Sequence, residues 1–179
     1  HLRTRRQRQM CIRDSDIGNL PLEVCETING SWGFNLKDRK HKSKKDLVQY
    51  LIKAAGYDSN LLLNVGPMPN GKIQKEHIKS LKEIGDWVKV NGETIYGTTR
   101  GPIDPTDEIA STQKDKTIYI HLLDNRKTYF IEGYNPKIKK ISYYHSNKKV
   151  KYQKTKSGLI INVDDNELDE IDTIIELEI

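Results

Sequence analysis

The 179-residue chain is 35% hydrophobic and 31% charged, and carries a formal net charge of +5. No run approaches the roughly 18 apolar residues of a membrane span, and no apolar leader core is visible near the N-terminus. Arg3, Arg5, Arg6, Arg8 and Arg13 against Asp14 supply most of the charge; the remaining residues hold 25 basic and 24 acidic groups, too even a balance for a nucleic-acid footprint.

The first fifteen residues, HLRTRRQRQMCIRDS, show no hydrophobic period, capping signal or turn chemistry. They resemble translated sequencing-adapter read-through, the alternative being a basic arm or localisation signal. Residues 1–15 are set apart as a non-native segment. Cys11 goes with it, leaving Cys25 inside the strand-like run LEVCETI, where a lone thiol reads as a small buried hydrophobe rather than a nucleophile.

From Leu20 the pattern is legible. Leu22 to Ile28 reads as a short strand closed by the Asn29-Gly30 turn. After a lysine-rich loop, Ser43 is placed as an N-cap. KKDLVQYLIKAA follows with Leu47, Leu51, Ala54 and Ala55 on one helical stripe, stopping at Gly56 as C-cap. Asn60–Val65 reads as a strand buried on both faces, as in parallel sheets. Gly66 to Gly71 is loop. A second amphipathic helix runs from Gln74 to Val90, with Ile78, Leu81, Ile84, Gly85 and Val88 facing inward.

Strand, helix, strand, helix is the rhythm of a (β/α) barrel or a doubly wound sheet, and two such units cannot close a barrel of eight. Beyond Pro105 the period shortens. Thr117–Leu123, Tyr129–Ile131, Ile138–Tyr144, Leu159–Val163 and Thr173–Ile179 are strand candidates separated by turn clusters, the pattern of a small antiparallel β-sandwich with five or six strands. The expected organisation is a barrel remnant over 16–103, the last βα units of a TIM-like barrel, followed by a β-sandwich over 104–179.

Three blocks carry a family resemblance: LPLEVCETINGSWGFN, NLLLNVGPMPNGKI and EIGDWVKVNGETIYGTTRGPI. In this order and spacing they resemble the closing part of the catalytic barrel of α-L-fucosidases, glycoside hydrolase family 29; the run from Ile109 is similar to the sandwich that follows it. The resemblance implies a fragment of a retaining exo-hydrolase acting on terminal α-linked fucose, with fucosylated glycans as partners and no cofactor. GPMPNG with YGTTRGPI leans toward α-1,3/1,4-linked fucose, although Thr99-Arg100-Gly101 departs from the usual form. Enzymes of this kind act in the periplasm, outside the cell or in lysosomes.

Retention requires two carboxyl groups about 5–5.5 Å apart. In the family both precede the segment matching LPLEVC, so no catalytic residue is assigned in this chain, and alone it is expected to be inactive. The substrate-binding candidates are Trp32, Glu23 and Asn64. Trp32 matches the aromatic that covers the apolar face of fucose, or anchors a core. Glu23 lines or braces the pocket, or makes a structural salt bridge. Asn64, at a strand's C-terminal end, orients the pocket or caps the loop. Trp87 reads as core. His41, His77, His121 and His145 show no metal-ligand spacing, and no metal is expected. The competing function is a non-catalytic carbohydrate-binding module using Tyr119, Tyr129, Tyr134, Tyr143 and Tyr144 as a platform.

Overall fold

The computed structural model describes residues 22–179; the segment set apart above lies outside them. Two compact units divide between Gly92 and Glu93.

The first unit contains β1 (Leu22–Thr27), α1 (Lys44–Gly56), β2 (Ser59–Asn64) and α2 (Lys75–Asn91), followed by a 3-10 turn, Gly92–Thr94. β1 and β2 pair in parallel, Leu22 opposite Ser59 through Thr27 opposite Asn64. Two parallel neighbours need a crossover, which α1 provides. Ser43 caps α1: its hydroxyl accepts the Asp46 N–H while the Asp46 carboxylate accepts the Ser43 N–H, a reciprocal capping box. Leu47, Val48, Ile52 and Ala54 are buried along the helix.

Three expectations here are corrected. Gly56 is the last helical residue rather than the cap; the chain turns at Tyr57, and Asp58 takes the left-handed conformation at φ 56°. β2 is not buried on both faces, since Leu62 is 51% exposed: α1 covers one side of the pair, and among the described residues the other side is open. On α2 the buried stripe is His77, Ser80, Trp87 and Asn91, while Ile78 and Leu81 are about 40% exposed. Periodicity locates an apolar stripe but not the surface that covers it. Trp87 is buried as expected, and the His77 ring meets His41 edge-on, centroids 5.4 Å apart. Cys25 is half-buried and unbonded.

The second unit is all strand apart from one 3-10 turn at Asp165–Glu167. It holds β3 (Thr99–Arg100), β4 (Ile109–Lys114), β5 (Thr117–Leu122), β6 (Thr128–Glu132), β7 (Lys140–Tyr143), β8 (Lys151–Lys154), β9 (Gly158–Asn162) and β10 (Thr173–Glu178). Five strands form one antiparallel sheet, ordered β3-β4-β5-β10-β7, and three form another, β6-β9-β8. One apolar core joins them. Ile118, Ile120, Leu122, Ile175 and Leu177 from the larger sheet meet Tyr129, Ile131, Leu159 and Ile161 from the smaller. The sandwich expectation holds, with eight strands rather than five or six. The additional ones, β3, β4 and β8, are short or polar (TR, IASTQK and KYQK), so their side chains give little signal.

The units part earlier than the sequence boundary at 103/104. Thr99 and Arg100 pair with Gln113 and Thr112, Ile103 joins the sandwich core, and the Ser111 hydroxyl bonds both the N–H and the carbonyl of Ile103 at 2.8 Å. A Cβ on Gly101 would collide with Ser111, so this close approach needs glycine. Tyr119, Tyr129 and Tyr143 are buried, and Tyr134 and Tyr144 half-buried. The tyrosines pack the sandwich and form no exposed platform.

Candidate functional site

Side chains alternate across a strand, and residues opposite one another in a parallel pair share a face. Glu26 identifies the face toward α1, because its carboxylate bonds Tyr50 of that helix. Glu23, Cys25 and Thr27 therefore look the other way, with Asn60, Leu62 and Asn64 beside them. This second face is open: Glu23, Asn60 and Leu62 are exposed, and Cys25 and Asn64 half-buried.

At the C-terminal end of this pair the chain leaves β1 into a loop that Lys42 closes. The Lys42 N–H donates to the Ile28 carbonyl at 2.8 Å. Its ammonium reaches Glu26 Oε1 at 3.0 Å and the Thr27 carbonyl at 2.7 Å. One side chain thus ties the loop's return to its departure. Within it, Ser31 donates to Asp38 Oδ2 at 2.7 Å, Asn35 donates to Ser31 at 3.2 Å, and the Lys37 N–H caps back onto Asn35 Oδ1 at 3.0 Å. The Ser31 bond holds the Asp38 carboxyl below its usual range. Burial pushes Glu26 up, but the Thr27 N–H, Lys42 and Tyr50 outweigh it, and the net direction is downward. Tyr50 is pushed up to about 12, by burial and then by Glu26.

Asn64 clasps this loop from the neighbouring strand. Its Nδ2 donates to the Trp32 carbonyl at 2.6 Å. Two residues on, Gly66 lies against the loop backbone so closely that a Cβ there would sit 2.6 Å from Gly33 C and Phe34 N. The clasp acts on the main chain of Trp32, and its indole is 57% exposed. Of the two readings of Trp32, the core anchor does not describe this placement.

The structure thus brings Trp32 and Asn64 together. Glu23 shares the open face with Asn64 but stands opposite Asn60, at the start of the pair. Four residues at about 3.3 Å each put it about 13 Å from the Asn64 level, and it is exposed there. Lys42 and Gly66 carry no advance signal of their parts: one sits in a lysine-rich stretch without period, the other in a Gly-Pro loop readable only as a turn. Among the described residues no group of three or more His, Cys, Asp or Glu could hold a metal ion, and no helix is long and apolar enough to cross a membrane.

The chain is similar to known proteins in sequence and in fold. The family model described as Alpha-L-fucosidase matches residues 6–93, a range that begins inside the arginine-rich segment. Human plasma α-L-fucosidase is 32% identical over 105 residues, covering 54% of this chain and 22% of that protein. The α-L-fucosidase of Branchiostoma floridae is 33% identical over 108 residues, covering 57% and 24%. Among solved structures, α-L-fucosidase isoenzyme 1 from Paenibacillus thiaminolyticus is 31% identical with TM-score 0.77, over 89% of this chain and 40% of that one. The Thermotoga maritima α-fucosidase is 25% identical with TM-score 0.81, over 90% and 41%. The chain spans about a quarter of the curated relatives it matches and about two-fifths of the solved structures. Within that span it matches the α-L-fucosidase family of glycoside hydrolases.

Proposed function

We propose that the chain is part of a retaining exo-α-L-fucosidase releasing terminal α-linked fucose from glycans, and that residues 22–91 are closing βα units of its (β/α) barrel. The observation that carries this reading is the open face of β1 and β2, which ends at the C-terminal edge in Trp32 clasped by Asn64. In a barrel that edge is where substrate binds, and the face away from the helices is the interior. The exposed indole suits a 6-deoxy sugar, whose methyl and axial C–H groups offer an apolar surface to stack. Asn64 sets the height of the indole over the strand ends, and Glu23 braces the interior face lower down.

On this reading the attacking Asp and the proton-donating carboxylate belong to strands preceding Leu20 in the parent protein. Glu26 is committed to Lys42, Thr27 and Tyr50, which suits a brace better than an acid that must cycle its proton. The chain by itself then binds fucose weakly and does not hydrolyse fucosides. Preference for α-1,3/1,4 linkages and a location outside the cytoplasm or in lysosomes belong to the same proposal.

The test pairs two assays. Incubation of the chain with a chromogenic α-L-fucoside is expected to release no chromophore above a buffer blank. The W32A substitution in a full-length relative carrying these blocks is expected to raise KM with a smaller change in kcat, as loss of a stacking contact does. Turnover by the chain alone overturns the assignment of the carboxylates; an unchanged KM in W32A overturns the role of the indole.

A further inference from the structure

Besides Asn64 and Lys42, the loop that carries Trp32 has a third attachment, on α2. Just before Lys42, the His41 ring meets His77 edge to face, with centroids 5.4 Å apart and planes at 77°. His77 is 1% exposed, and among the described residues neither of its ring nitrogens has a hydrogen-bond partner. His41 Nε2 and the Oε1 of Gln74, the residue ahead of α2, are likewise buried and unpartnered. Two neutral rings can pack in this way. A charged ring here would be a buried cation with no acceptor bonded to it, which is far costlier.

The charged groups around the pair are Asp38 and Lys42 of the loop, Lys44 of α1, and Glu76, Lys79 and Glu83 of α2. Lys42 pairs with Glu26, and Lys79 with Glu83 at 3.7 Å. Burial, and then His41, hold the His77 pKa below its ordinary value of 6.5, against the opposing pull of Glu76 and Asp38. Asp38 is engaged within the loop: it accepts the Ser31 hydroxyl at 2.7 Å and the N–H groups of Lys40 and Gly30. That one carboxylate therefore joins the residue before His41 to the residue before Trp32. A cavity of about 360 Å³ opens beside His41, between the start of α1 and the first turns of α2.

We propose that His41 is a positioning residue for Trp32: its neutral ring seats the loop on His77, and a proton on either ring sends His41 into the neighbouring cavity and frees the loop from α2. The sign follows from the burial. A base that is depressed in the seated state takes its proton more readily once released, so the loop is seated above pH 6.5 and lifts as pH falls below it. Asn64 and Lys42 keep their own bonds to the chain, so release loosens the loop without detaching it. The movement reaches Trp32 through Asp38. Its consequence for a bound sugar rests on the stacking role proposed for the indole; the seat itself does not.

The test uses the whole chain in a W87F background, where Trp32 is the only indole, and follows its fluorescence anisotropy from about pH 7.5 to about pH 5. This range lies above the one in which Glu26 titrates. Anisotropy is expected to fall in one step as the pH drops. H41A is expected to show the lower value throughout. H41F/H77F, which keeps two rings that take no proton, is expected to stay high and flat. In the unsubstituted pair, the ring-proton resonances of His41 and His77 are expected to titrate with the midpoint of that step, a measurement that does not depend on the double variant folding. A flat trace in the unsubstituted pair, H41A with unchanged anisotropy at neutral pH, or a step whose midpoint matches neither histidine would each overturn the proposal. If the step is present but added fucose leaves Trp32 emission unchanged, the seat stands and the stacking role fails.

Discussion

His121 and Asp172, 51 residues apart in sequence, meet through Nδ1 and Oδ2 at 2.7 Å with both side chains fully withdrawn from solvent. Thr112 stands at the other ring nitrogen, Nε2, at 3.5 Å, and its own hydroxyl proton is committed to the Thr94 carbonyl at 2.6 Å. Its oxygen is left facing Nε2 as an acceptor, while Nδ1 faces Asp172 Oδ2. Among the described residues Asp172 Oδ1 has no partner, and burial, opposed by His121, leaves the Asp172 carboxyl above its ordinary value.

The sign of the pH dependence follows. A group whose folded value is raised stabilises fully below the unfolded value of 3.8 and loses that contribution as pH rises through the folded value. The sandwich should therefore lose stability with rising pH, and D172N, which cannot ionise, should not. His145 and Asp169 also act on this carboxyl, so the comparison is made against D172N rather than across proteins. H121A leaves the Asp172 carboxyl buried without its partner and is expected to cost about 1–3 kcal/mol, with H121A/D172A costing less than the two single changes together. Denaturant titrations of all four chains at several pH values measure both effects, and additive costs would contradict the pairing.

Gly66 gives a steric prediction. Alanine there would place Cβ 2.6 Å from backbone atoms of Gly33 and Phe34, and backbone cannot swing aside as a flexible side chain can. G66A is expected to cost about 1–3 kcal/mol, and its cost should vanish in a chain whose loop is already released by N64A. A G66A chain as stable as the parent in denaturant would mean the loop does not rest on β2.

Much of this was legible beforehand, for identifiable reasons. Local signals placed α1, because Ser43 and Asp46 form its cap from four consecutive residues and Leu47, Val48 and Ile52 repeat at helical spacing. They placed β5, β9 and β10 through runs of branched residues. They missed β4 and β8, whose strands carry Ser, Thr, Gln and Lys, and they misplaced the inner face of α2. There the most buried positions include His77 and Asn91, polar residues that no hydrophobic period selects. Of the candidate site, Trp32 and Asn64 were legible only as residue types placed at the ends of strands. Their contact was not, since a side-chain amide on one strand meeting a carbonyl 32 residues earlier depends on tertiary register. The tyrosines failed as a platform because alternation sends Tyr129 inward and Phe130 outward, and identity alone does not say which.

The Asn64 clasp can be measured directly, because the chain has two tryptophans and only Trp32 is exposed. In a W87F background all indole emission reports on the loop. N64A is expected to cost about 1 kcal/mol for the lost hydrogen bond and to lower the fluorescence anisotropy of Trp32 as the loop gains freedom. Unchanged anisotropy would show that Gly66 and the loop's own bonds suffice to hold it.

The same reporter tests the Lys42 tie. Glu26 is held below its ordinary value of 4.5 despite burial, because the Thr27 N–H, Lys42 and Tyr50 all favour its ionised form. A depressed carboxyl stabilises above the unfolded value and loses that contribution as pH falls through the folded one. Acid should therefore release the Lys42 ammonium from Glu26 below about pH 4.5, while its bonds to the Thr27 and Asn29 carbonyls remain. The loop should loosen rather than unfold, seen as a fall in Trp32 anisotropy before any loss of helical signal from α1. E26Q should show the looser anisotropy already at neutral pH, at a cost of about 1 kcal/mol for a partly exposed pair, and should be flat across the acid range. If the parent chain were equally flat, the strand end beneath Trp32 would be held by the two carbonyl bonds alone, and Glu26 would be free for another part in the assembled barrel.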